Sequence, residues 1–334
     1  MKIYKVGGAV RDKIMGLQPK DIDWVIVGST VSELKKKGFK QVGKDFPVFL
    51  HPNTKEEYAL ARKEVKSGKG YKGFKFDFSP EITLEDDLKR RDLTINAIAE
   101  DQDGTIIDPY NGQKDVKNKI LRHVSESFFE DPLRALRVAR FYAQFEGFEI
   151  HPKTKDALLR IGKSGELKEL SRDRVWIETE KSLSFNFQRF LEVIKEFNLK
   201  SPWFDELEVI PKITSNNPNI KWCQTAESNN YKFANKLLKS NSIKQTLNIW
   251  FKISKFDITS NVNKKIDFFS SITSKNYEKD VNEVLKSFPR LKAYCSKILN
   301  NYALVNFEYL QDLSSNEIAK AKNMELRKII KKYE

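Results

Sequence analysis

The chain has 334 residues, of which 60 are Lys or Arg and 46 are Asp or Glu, and its formal net charge at neutral pH is +14. With two Cys and 14 Gly it matches neither a disulfide scaffold nor a collagen-like fibre, and 40% hydrophobic residues are enough for packed cores. No apolar stretch is long enough to span a membrane, and residues 1–8 lack a secretory signal pattern. We therefore expect a cytoplasmic protein of two or three compact units.

The positive charge is concentrated in the second half of the chain. Residues 1–150 hold 27 basic and 24 acidic side chains, whereas residues 151–334 hold 33 and 22. A field of this sign attracts an acidic polymer, and a nucleic acid is the partner that fits it best. A Lys- and Asn-rich surface that reflects only a biased genome composition is the alternative.

Hydrophobic periodicity divides the chain into three regions. Residues 1–125 mix strand-like runs with helical stretches, which indicates a unit of both α and β structure. Residues 126–185 turn helical, with Pro132 near a helix start. Residues 186–334 carry Lys- and Asn-rich segments with helical spacing, separated by polar loops. The strand-like runs are residues 24–27, 48–50, 58–60 and 105–107.

A glycine turn near the N-terminus has the features of a phosphate site. Gly7 and Gly8 follow a strand-like start and precede a helix-forming run, so bare backbone N–H groups would lie at a helix N-terminus. Arg11 would point at the same anion. Two glycines alone are a weak signal, since a plain strand-to-helix corner has the same pattern.

A pair of carboxylates begins ten residues after Arg11. Asp21 and Asp23 flank Ile22 immediately before the apolar run of residues 24–27. If the strand includes them, alternation places both carboxylates on one face, where a divalent cation would offset their repulsion. Hard oxygen ligands of this kind suit Mg²⁺ held together with substrate phosphates. An ordinary solvated pair at a strand end is the alternative.

Five motifs occur in order along residues 1–185. They are G-G-x-V-R-D with Gly16 and D-x-D over residues 7–23, R-R-D-L-T-I-N-A over 90–97, D-P-Y-N-G over 108–112, E-D-P-L-R-x-x-R-x-x-R-F over 130–141, and S-R-D-R-V-W-I-E over 171–178. Together they resemble the class II tRNA nucleotidyltransferases, the bacterial type of CCA-adding enzyme, which share a head with bacterial poly(A) polymerases. Asp173 stands where that family usually has Glu.

The resemblance implies an α+β fold, with a polymerase-beta-like head built on a mixed sheet and followed by an all-α neck, body and tail. The head would be residues 1–125, the neck that selects the base 126–185, and the body and tail that bind tRNA 186–334. The implied reaction is template-independent addition of C, C and A to the 3′ end of tRNA from CTP and ATP, with Mg²⁺ as cofactor and pyrophosphate as leaving group. We expect a monomer.

The resemblance also implies roles for residues of the head. Asp21 and Asp23 would be the catalytic metal ligands, and Glu57 is a candidate third carboxylate. The triphosphate would be bound by Gly8, Arg11 and Arg91. Asp92 and Asn96 lie four residues apart and could contact the sugar, although capping or hydrogen bonding to each other explains them equally well.

The motif at residues 130–141 predicts how a base could be chosen without a template. Cytosine and adenine each present an amine beside a ring-nitrogen acceptor, whereas guanine and uracil present a carbonyl beside an N–H. Asp131 can only accept hydrogen bonds and Arg134 can only donate them, and a helical spacing of three would place them side by side. In the family the matching pair reads the base, and Arg137 and Arg140 also contact the nucleotide. An amphipathic helix with solvated ion pairs is the alternative.

Two further features bear on the reaction. Residues 66–74 contain three Gly and three Lys, which predicts a mobile basic loop that resembles the one in family members that add the terminal A. Many relatives carry a metal-dependent phosphohydrolase region with His-Asp ligands. The three histidines of this chain are His51, His123 and His151, and none of them is followed by Asp. We therefore expect no such activity in residues 186–334.

Cys223 and Cys295 lack metal or redox spacing, so we expect buried inert thiols.

Two other functions remain open on the sequence alone. A poly(A) polymerase would use the same chemistry with a different primer and without CTP. A catalytically silent RNA-binding relative would not need both Asp21 and Asp23, so their retention argues against it.

Overall fold

A computed structural model describes residues 1–19, 21–42, 48–66, 74–311 and 313–334. The chain divides into two compact units. Unit 1 contains Met1–Lys212 and Lys232–Leu237, and unit 2 contains Ile213–Tyr231 and Leu238–Glu334. The boundaries at residues 125 and 185 divide the chain by function into head, neck and body, and this division stays a prediction.

Unit 1 is built around a mixed sheet. The described strands of the unit are β1 (Lys2–Val6), β2 (Asp23–Val27), β3 (Lys40–Val42), β4 (Val48–Leu50), β5 (Glu57–Leu60), β6 (Lys63–Lys66), β7 (Phe74–Asp77), β8 (Ala99–Glu100), β9 (Ile106–Ile107), β10 (Ile120–Leu121) and β11 (Glu149–Ile150). Within the described residues the sheet has seven strands in the order β3-β4-β5-β2-β1-β8-β9, and β2 and β5 are its parallel pair. This arrangement confirms the predicted α+β class.

The central strands are buried on both faces, which explains their apolar sequence. Val25 packs in a cluster with Val6 and Leu88, whereas the next residue, Ile26, packs in a second cluster with Phe49. Consecutive residues of a strand point to opposite faces, so the two clusters lie on either side of the sheet. The start of β2, at Asp23, is thereby held in place by a hydrophobic core on each face of the sheet.

Helices cover the sheet and continue beyond it. They are α1 (Gly8–Ile14), α2 (Val31–Lys36), α3 (Leu84–Lys89), α4 (Gly112–Asn118), α5 (Leu133–Gln144), α6 (Pro152–Ser164), α7 (Arg172–Leu183) and α8 (Phe187–Glu196). A short 3-10 helix over Thr94–Asn96 packs against α4. A Cβ at Gly112 would lie 2.2 Å from the carbonyl oxygen of Thr94, so only glycine permits this close packing.

The predicted helical region begins differently from the sequence expectation. Residues Glu126–Glu130 form a 3-10 helix, Asp131 is extended, and α5 begins only at Leu133 with Pro132 before it. The reason is that the Asp131 carboxylate accepts a hydrogen bond from the Leu133 N–H at 3.1 Å and so acts as a cap. The region is also not purely helical, because β11 pairs in parallel with β10.

A segment of six residues returns to unit 1 after the chain has entered unit 2. Phe233 is completely buried, and its ring centroid lies 6.2 Å from that of Phe204. The Ala234 N–H donates to Glu206, and the Leu237 carbonyl accepts from Arg172. Unit 1 is therefore closed by residues 232–237, which lie 20 residues beyond Lys212 in the sequence.

Unit 2 is helical and has a core of its own. Its helices are α9 (Pro218–Ser228), α10 (Asn241–Ser254), α11 (Val262–Ile272), α12 (Glu278–Leu285), α13 (Pro289–Ala303) and α14 (Ser315–Lys332). Cys223 and Cys295 are free and buried in this core, as expected, and burial raises the pKa of the Cys295 thiol to about 12. Among the described helices of either unit, none has the length and apolar character of a membrane span.

The glycine-rich loop falls between two described strands. β6 and β7 form an antiparallel pair in which Lys66 lies opposite Phe74. Residues 67–73, which carry the predicted loop, lie outside the described residues.

Candidate active site

A cavity of about 1000 Å³ opens in unit 1 beside the start of β2. Its lining includes every site residue predicted from the sequence and also Glu57. The predicted residues are Gly8, Arg11, Asp21, Asp23, Arg91, Asp92, Asn96, Asp131, Arg134, Arg137 and Arg140. Residues that are up to 132 positions apart in the chain therefore surround one volume.

The carboxylates lie at the start of β2. Asp23 is the first residue of the strand and lies opposite Val6 on β1 and Glu57 on β5. Side chains opposite each other on neighbouring strands point to the same face, so Asp23 and Glu57 lie on the same face of the sheet. Asp21 precedes the strand by two residues, so strand alternation does not set its direction as the sequence argument supposed. All three side chains are exposed to solvent.

These carboxylates fit a divalent cation of the hard type. They are exposed oxygen donors on a rigid strand edge, which is the donor chemistry that Mg²⁺ prefers. In the described part of the chain, no three His, Cys, Asp or Glu side chains are close enough together to form a complete protein cage. An ion held here would take some of its ligands from these carboxylates and the rest from phosphate oxygens and water.

Gly7 and Gly8 form a tight corner between β1 and α1. Gly7 has a φ of 72°, in the left-handed region, and a Cβ there would lie 2.7 Å from Nη1 of Arg91. Gly8 is the first residue of α1, where the backbone N–H groups have no partner within the helix. The glycines thus let the Arg91 guanidinium approach the same corner where these N–H groups lie.

A chain of hydrogen bonds connects the predicted residues of the head. The Arg11 side chain donates to Oδ1 of Asn96 at 2.6 Å, and the amide of Asn96 donates to Oδ1 of Asp92 at 3.0 Å. Oδ2 of Asp92 accepts from Nε of Arg137 on α5 at 2.7 Å. Asp92 and Asn96 are thus bonded to each other, the arrangement that the sequence left open as an alternative to sugar binding.

The ion pair of Asp92 and Arg137 is electrostatically strong. Burial would raise the pKa of the Asp92 carboxyl, but the charge of Arg137 and hydrogen bonds from Asn96 and Leu93 outweigh burial. The pKa of Asp92 is therefore well below its ordinary value, and the charge of Asp92 raises the pKa of the Arg137 guanidinium. Both groups remain charged throughout the physiological range.

Glu178 joins the two arginines at the end of the motif on α5. One oxygen of its buried carboxylate accepts from Nε of Arg140, and the other lies 3.6 Å from Nη1 of Arg137. The Arg140 guanidinium also lies 3.8 Å from the ring centroid of Phe141, and that of Arg11 lies 5.3 Å from it. The Arg137 guanidinium lies 5.7 Å from the same ring, so three arginines of the cavity surround one aromatic side chain.

The predicted base-reading pair is placed differently from the simple helical picture. Asp131 pairs with Arg174 of α7 through both carboxylate oxygens, at 2.6 Å and 3.3 Å. Arg134 lies in the first turn of α5 and donates to the backbone carbonyl of Ser127. Both residues line the cavity, and each side chain has a partner other than the one expected from helical spacing.

The head matches a known protein family. Residues 3–122 match the family model described as the poly A polymerase head domain. The "CCA-adding enzyme" of Actinobacillus succinogenes is 62% identical over 185 residues, which are 55% of this chain and 46% of that protein. The "Multifunctional CCA protein" of Pseudoalteromonas atlantica is 55% identical over 213 residues, 63% of this chain and 53% of that protein. Over these stretches the chain is similar to the bacterial CCA-adding enzymes.

The family resemblance inferred from the motifs is thereby confirmed. The chain spans about half the length of the curated CCA proteins that it matches. Among solved structures, the Bacillus stearothermophilus CCA-adding enzyme in complex with CTP covers 99% of this chain and 89% of its own, with a TM-score of 0.67 and 22% identity. The Thermotoga maritima CCA-adding enzyme complexed with tRNA covers 100% and 92%, with a TM-score of 0.65 and 20% identity. At these identities the likeness establishes the fold.

Two side chains of the cavity network were not predicted as site residues. Glu178 and Arg174 both belong to the motif at residues 171–178 that resembles the CCA-adding enzymes, but no role was assigned to them from the sequence. A helical spacing of four places both on one face of α7. That spacing was readable in advance, whereas the packing of this face against α5 was not.

Proposed function

We propose that this chain adds C, C and A to the 3′ end of tRNA, using CTP and ATP and releasing pyrophosphate. One observation carries the proposal. The cavity combines exposed carboxylates at the start of β2, arginines from the head and from α5, and the Asp131 and Arg134 side chains. A nucleoside triphosphate has the matching parts: a metal-binding phosphate group, further anionic oxygens and a base with polar edges.

The triphosphate would lie at the corner between β1 and α1. Arg11 and Arg91 supply guanidinium groups there, and Gly8 supplies a backbone N–H. Arg11 is already oriented by Asn96 and by its own neighbour Asp12, whose Oδ1 accepts from Arg11 at 2.7 Å. A donor fixed in this way loses little side-chain freedom when the phosphate binds.

Asp21 and Asp23 would hold the divalent cation, and we propose that it is Mg²⁺. When bound, the ion polarises the α-phosphate, favours ionisation of the RNA 3′-hydroxyl and stabilises the departing pyrophosphate. Glu57 lies beside Asp23 in the strand register and is the candidate for a third carboxylate. The rest of the site orients the two substrates, which is the main contribution of a protein to phosphoryl transfer.

The base would be selected by hydrogen-bond complementarity. Asp131 accepts from the exocyclic amine of cytosine or adenine, and Arg134 donates to the neighbouring ring nitrogen. A guanine or uracil would place a carbonyl against the carboxylate and an N–H against the guanidinium, at a cost of about 1–3 kcal/mol for each mismatched group. Arg137 and Arg140 would contact the nucleotide from the next turns of α5.

We further propose tRNA as the polymer substrate, a monomeric protein and a cytoplasmic location. The excess of basic residues in 151–334 suits the backbone of a folded RNA, which is recognised by shape and charge rather than by sequence. The curated relatives, which are named for CCA addition, support the same substrate. The predicted absence of phosphohydrolase activity stays a prediction.

The deciding experiment is a sequencing-gel assay with one tRNA that ends at its discriminator base. CTP alone should extend it by two nucleotides, ATP alone should give little extension, and the two together should give three. A protein that incorporates neither C nor A into this tRNA would contradict the proposal.

A poly(A) polymerase is the second candidate, because the matched head family carries that description. The same assay separates the two functions when an unrelated RNA primer is included. A poly(A) polymerase would add many A residues to that primer and would not use CTP. A CCA-adding enzyme would leave that primer unextended and would stop after the terminal A on tRNA.

A further inference from the structure

Arg174 stands in an unusual relation to the proposed base reader. It reaches from α7 to Asp131, which precedes α5, and it contacts both oxygens of that carboxylate. The two side chains are 24% and 19% exposed, so water screens this pair only in part. The contact spans 43 residues of sequence and lies in the wall of the cavity.

A count of hydrogen-bond positions shows what this contact does to Asp131. An ionised carboxylate offers about four acceptor positions, two on each oxygen. Oδ1 accepts from the Leu133 N–H and from Nη1 of Arg174, and Oδ2 accepts from Nη2 of Arg174. In the described part of the chain this leaves one acceptor position, and it is on Oδ2.

The backbone of Arg174 is held in place at the start of α7. Its backbone N–H is 3.5 Å from the capping hydroxyl of Ser171, and the next residue, Val175, is fully buried. α7 packs along α5, the helix that carries Arg134. The planar guanidinium therefore holds the carboxylate at a set angle relative to that helix.

We propose that Arg174 is a positioning residue for base selection. By occupying two acceptor positions of Asp131, it leaves one position aimed at the base, and this position takes a single N–H from the amine of cytosine or adenine. The carboxylate cannot rotate to accept from another edge, so the ring N–H of guanine or uracil finds no acceptor there. This inference rests on the proposed function, since it names how the same site distinguishes its nucleotides.

The test uses the full chain with Arg174→Gln and Arg174→Lys. Affinities for CTP and UTP are measured directly, and incorporation of all four nucleotides is measured on tRNA. In Arg174→Gln the preference for CTP over UTP should fall by about tenfold in both measurements. Arg174→Lys should show the same loss, because an ammonium group cannot hold both oxygens, while its melting temperature stays near that of the wild type.

Arg160→Gln is the matched control, because it removes another arginine from a carboxylate pair, with Glu126, that is exposed and remote from the cavity lining. It should keep full selectivity. A second check combines Arg174→Gln with Asp131→Asn, and the double variant should be no less selective than Asp131→Asn alone.

Three results would overturn the inference: unchanged selectivity in Arg174→Gln, full rescue by lysine, or an equal loss for all four nucleotides. The affinity measurement decides the matter even if the wild type transfers no nucleotide to tRNA. A wild-type protein that transfers no nucleotide to tRNA would instead count against the proposed function.

Discussion

At the scale of single residues, five of the acidic groups in and beside the cavity fall into two kinds. Asp21, Asp23 and Glu57 are exposed at the strand edge, and none of them is in an ion pair among the described residues. Asp92 and Glu178 are buried and bonded to arginines. The exposed carboxylates can therefore bind a cation from solution, whereas the buried carboxylates hold the arginine side chains in place.

The exposed kind is tested by Asp23→Asn and Asp21→Asn. Each removes one charged oxygen ligand from the proposed cation, so nucleotide addition should fall on the order of 1,000-fold. Binding of tRNA, measured by filter retention, should change little. Asp156→Asn, an exposed aspartate on α6, is the control and should retain activity. Normal turnover in either variant would remove the metal assignment.

The buried kind is tested by the pH dependence of stability. The pKa of Asp92 is lowered in the folded protein, so the unfolded chain binds its proton first as the pH falls. Its contribution is therefore present above about pH 4, the ordinary range for Asp, and is lost as the pH falls below that. Urea unfolding at pH 7, 5, 4 and 3 should show this loss.

Asp92→Asn should remove that part of the acid dependence and should cost about 2 kcal/mol at pH 7, because it leaves Arg137 without its nearest carboxylate. If the variant and the wild type lose the same free energy of unfolding between pH 5 and pH 3, the ion pair is not a source of stability.

The residues that line the cavity were predicted better than their partners. Asp21, Asp23 and Arg11 were singled out by their residue types and by the order of the motifs, and their roles in phosphate and metal chemistry stay predictions. The contact of Asp131 with Arg174 could not be predicted in the same way, since it depends on how two helices meet. The local cap that Asp131 forms at α5 was open to prediction from its position before Pro132.

At the scale of elements, α7 acts as a support for α5. The inward face of α7 carries Glu178, which joins Arg137 and Arg140 on α5, and Arg174, which holds Asp131. The outward face carries exposed residues such as Glu180. The arginines that face the cavity are therefore directed from behind by a second helix.

This support predicts the effect of Glu178→Ala. The change leaves two arginines beside a site that has lost its carboxylate, so the free energy of unfolding should fall by about 3 kcal/mol. The KM for CTP should rise because Arg137 and Arg140 are no longer held in one direction. Glu180→Ala on the same helix should alter neither quantity. Unchanged KM with lowered stability would restrict Glu178 to a structural role.

Element types were largely predictable, and element boundaries were less so. The runs at 24–27, 48–50 and 58–60 lie in β2, β4 and β5 because apolar, branched side chains suit a sheet covered on both faces. The two-residue strands β10 and β11 could not be read from periodicity, which needs a longer run. The start of α5 was displaced because a local cap competed with helical spacing.

At the scale of the whole molecule, the chain crosses between its two units more than once. Residues 213–231 belong to unit 2, and residues 232–237 then complete unit 1. No sequence signal separated these six residues from their surroundings. Their assignment depends on packing against Phe204 and Glu206, which are 28 or 29 residues earlier.

The role of this segment is tested by Phe233→Ala. Loss of a fully buried ring should lower the stability of unit 1 by about 3 kcal/mol and should increase hydrogen exchange in its strands. Phe251→Ala, in unit 2, removes a ring that is 46% exposed and should cost less than about 1 kcal/mol. Unchanged exchange in unit 1 after Phe233→Ala would show that the unit does not depend on residues 232–237.

The crossing also has a consequence for biosynthesis. A ribosome that has just released Lys212 from its exit tunnel has delivered every described strand of the seven-stranded sheet, yet the nascent unit still lacks Phe233 and Leu237. Because domains fold as they emerge, this one must wait for about 25 further residues, and α9 emerges during the delay. Synthesis of the second unit is therefore under way before the first can finish folding.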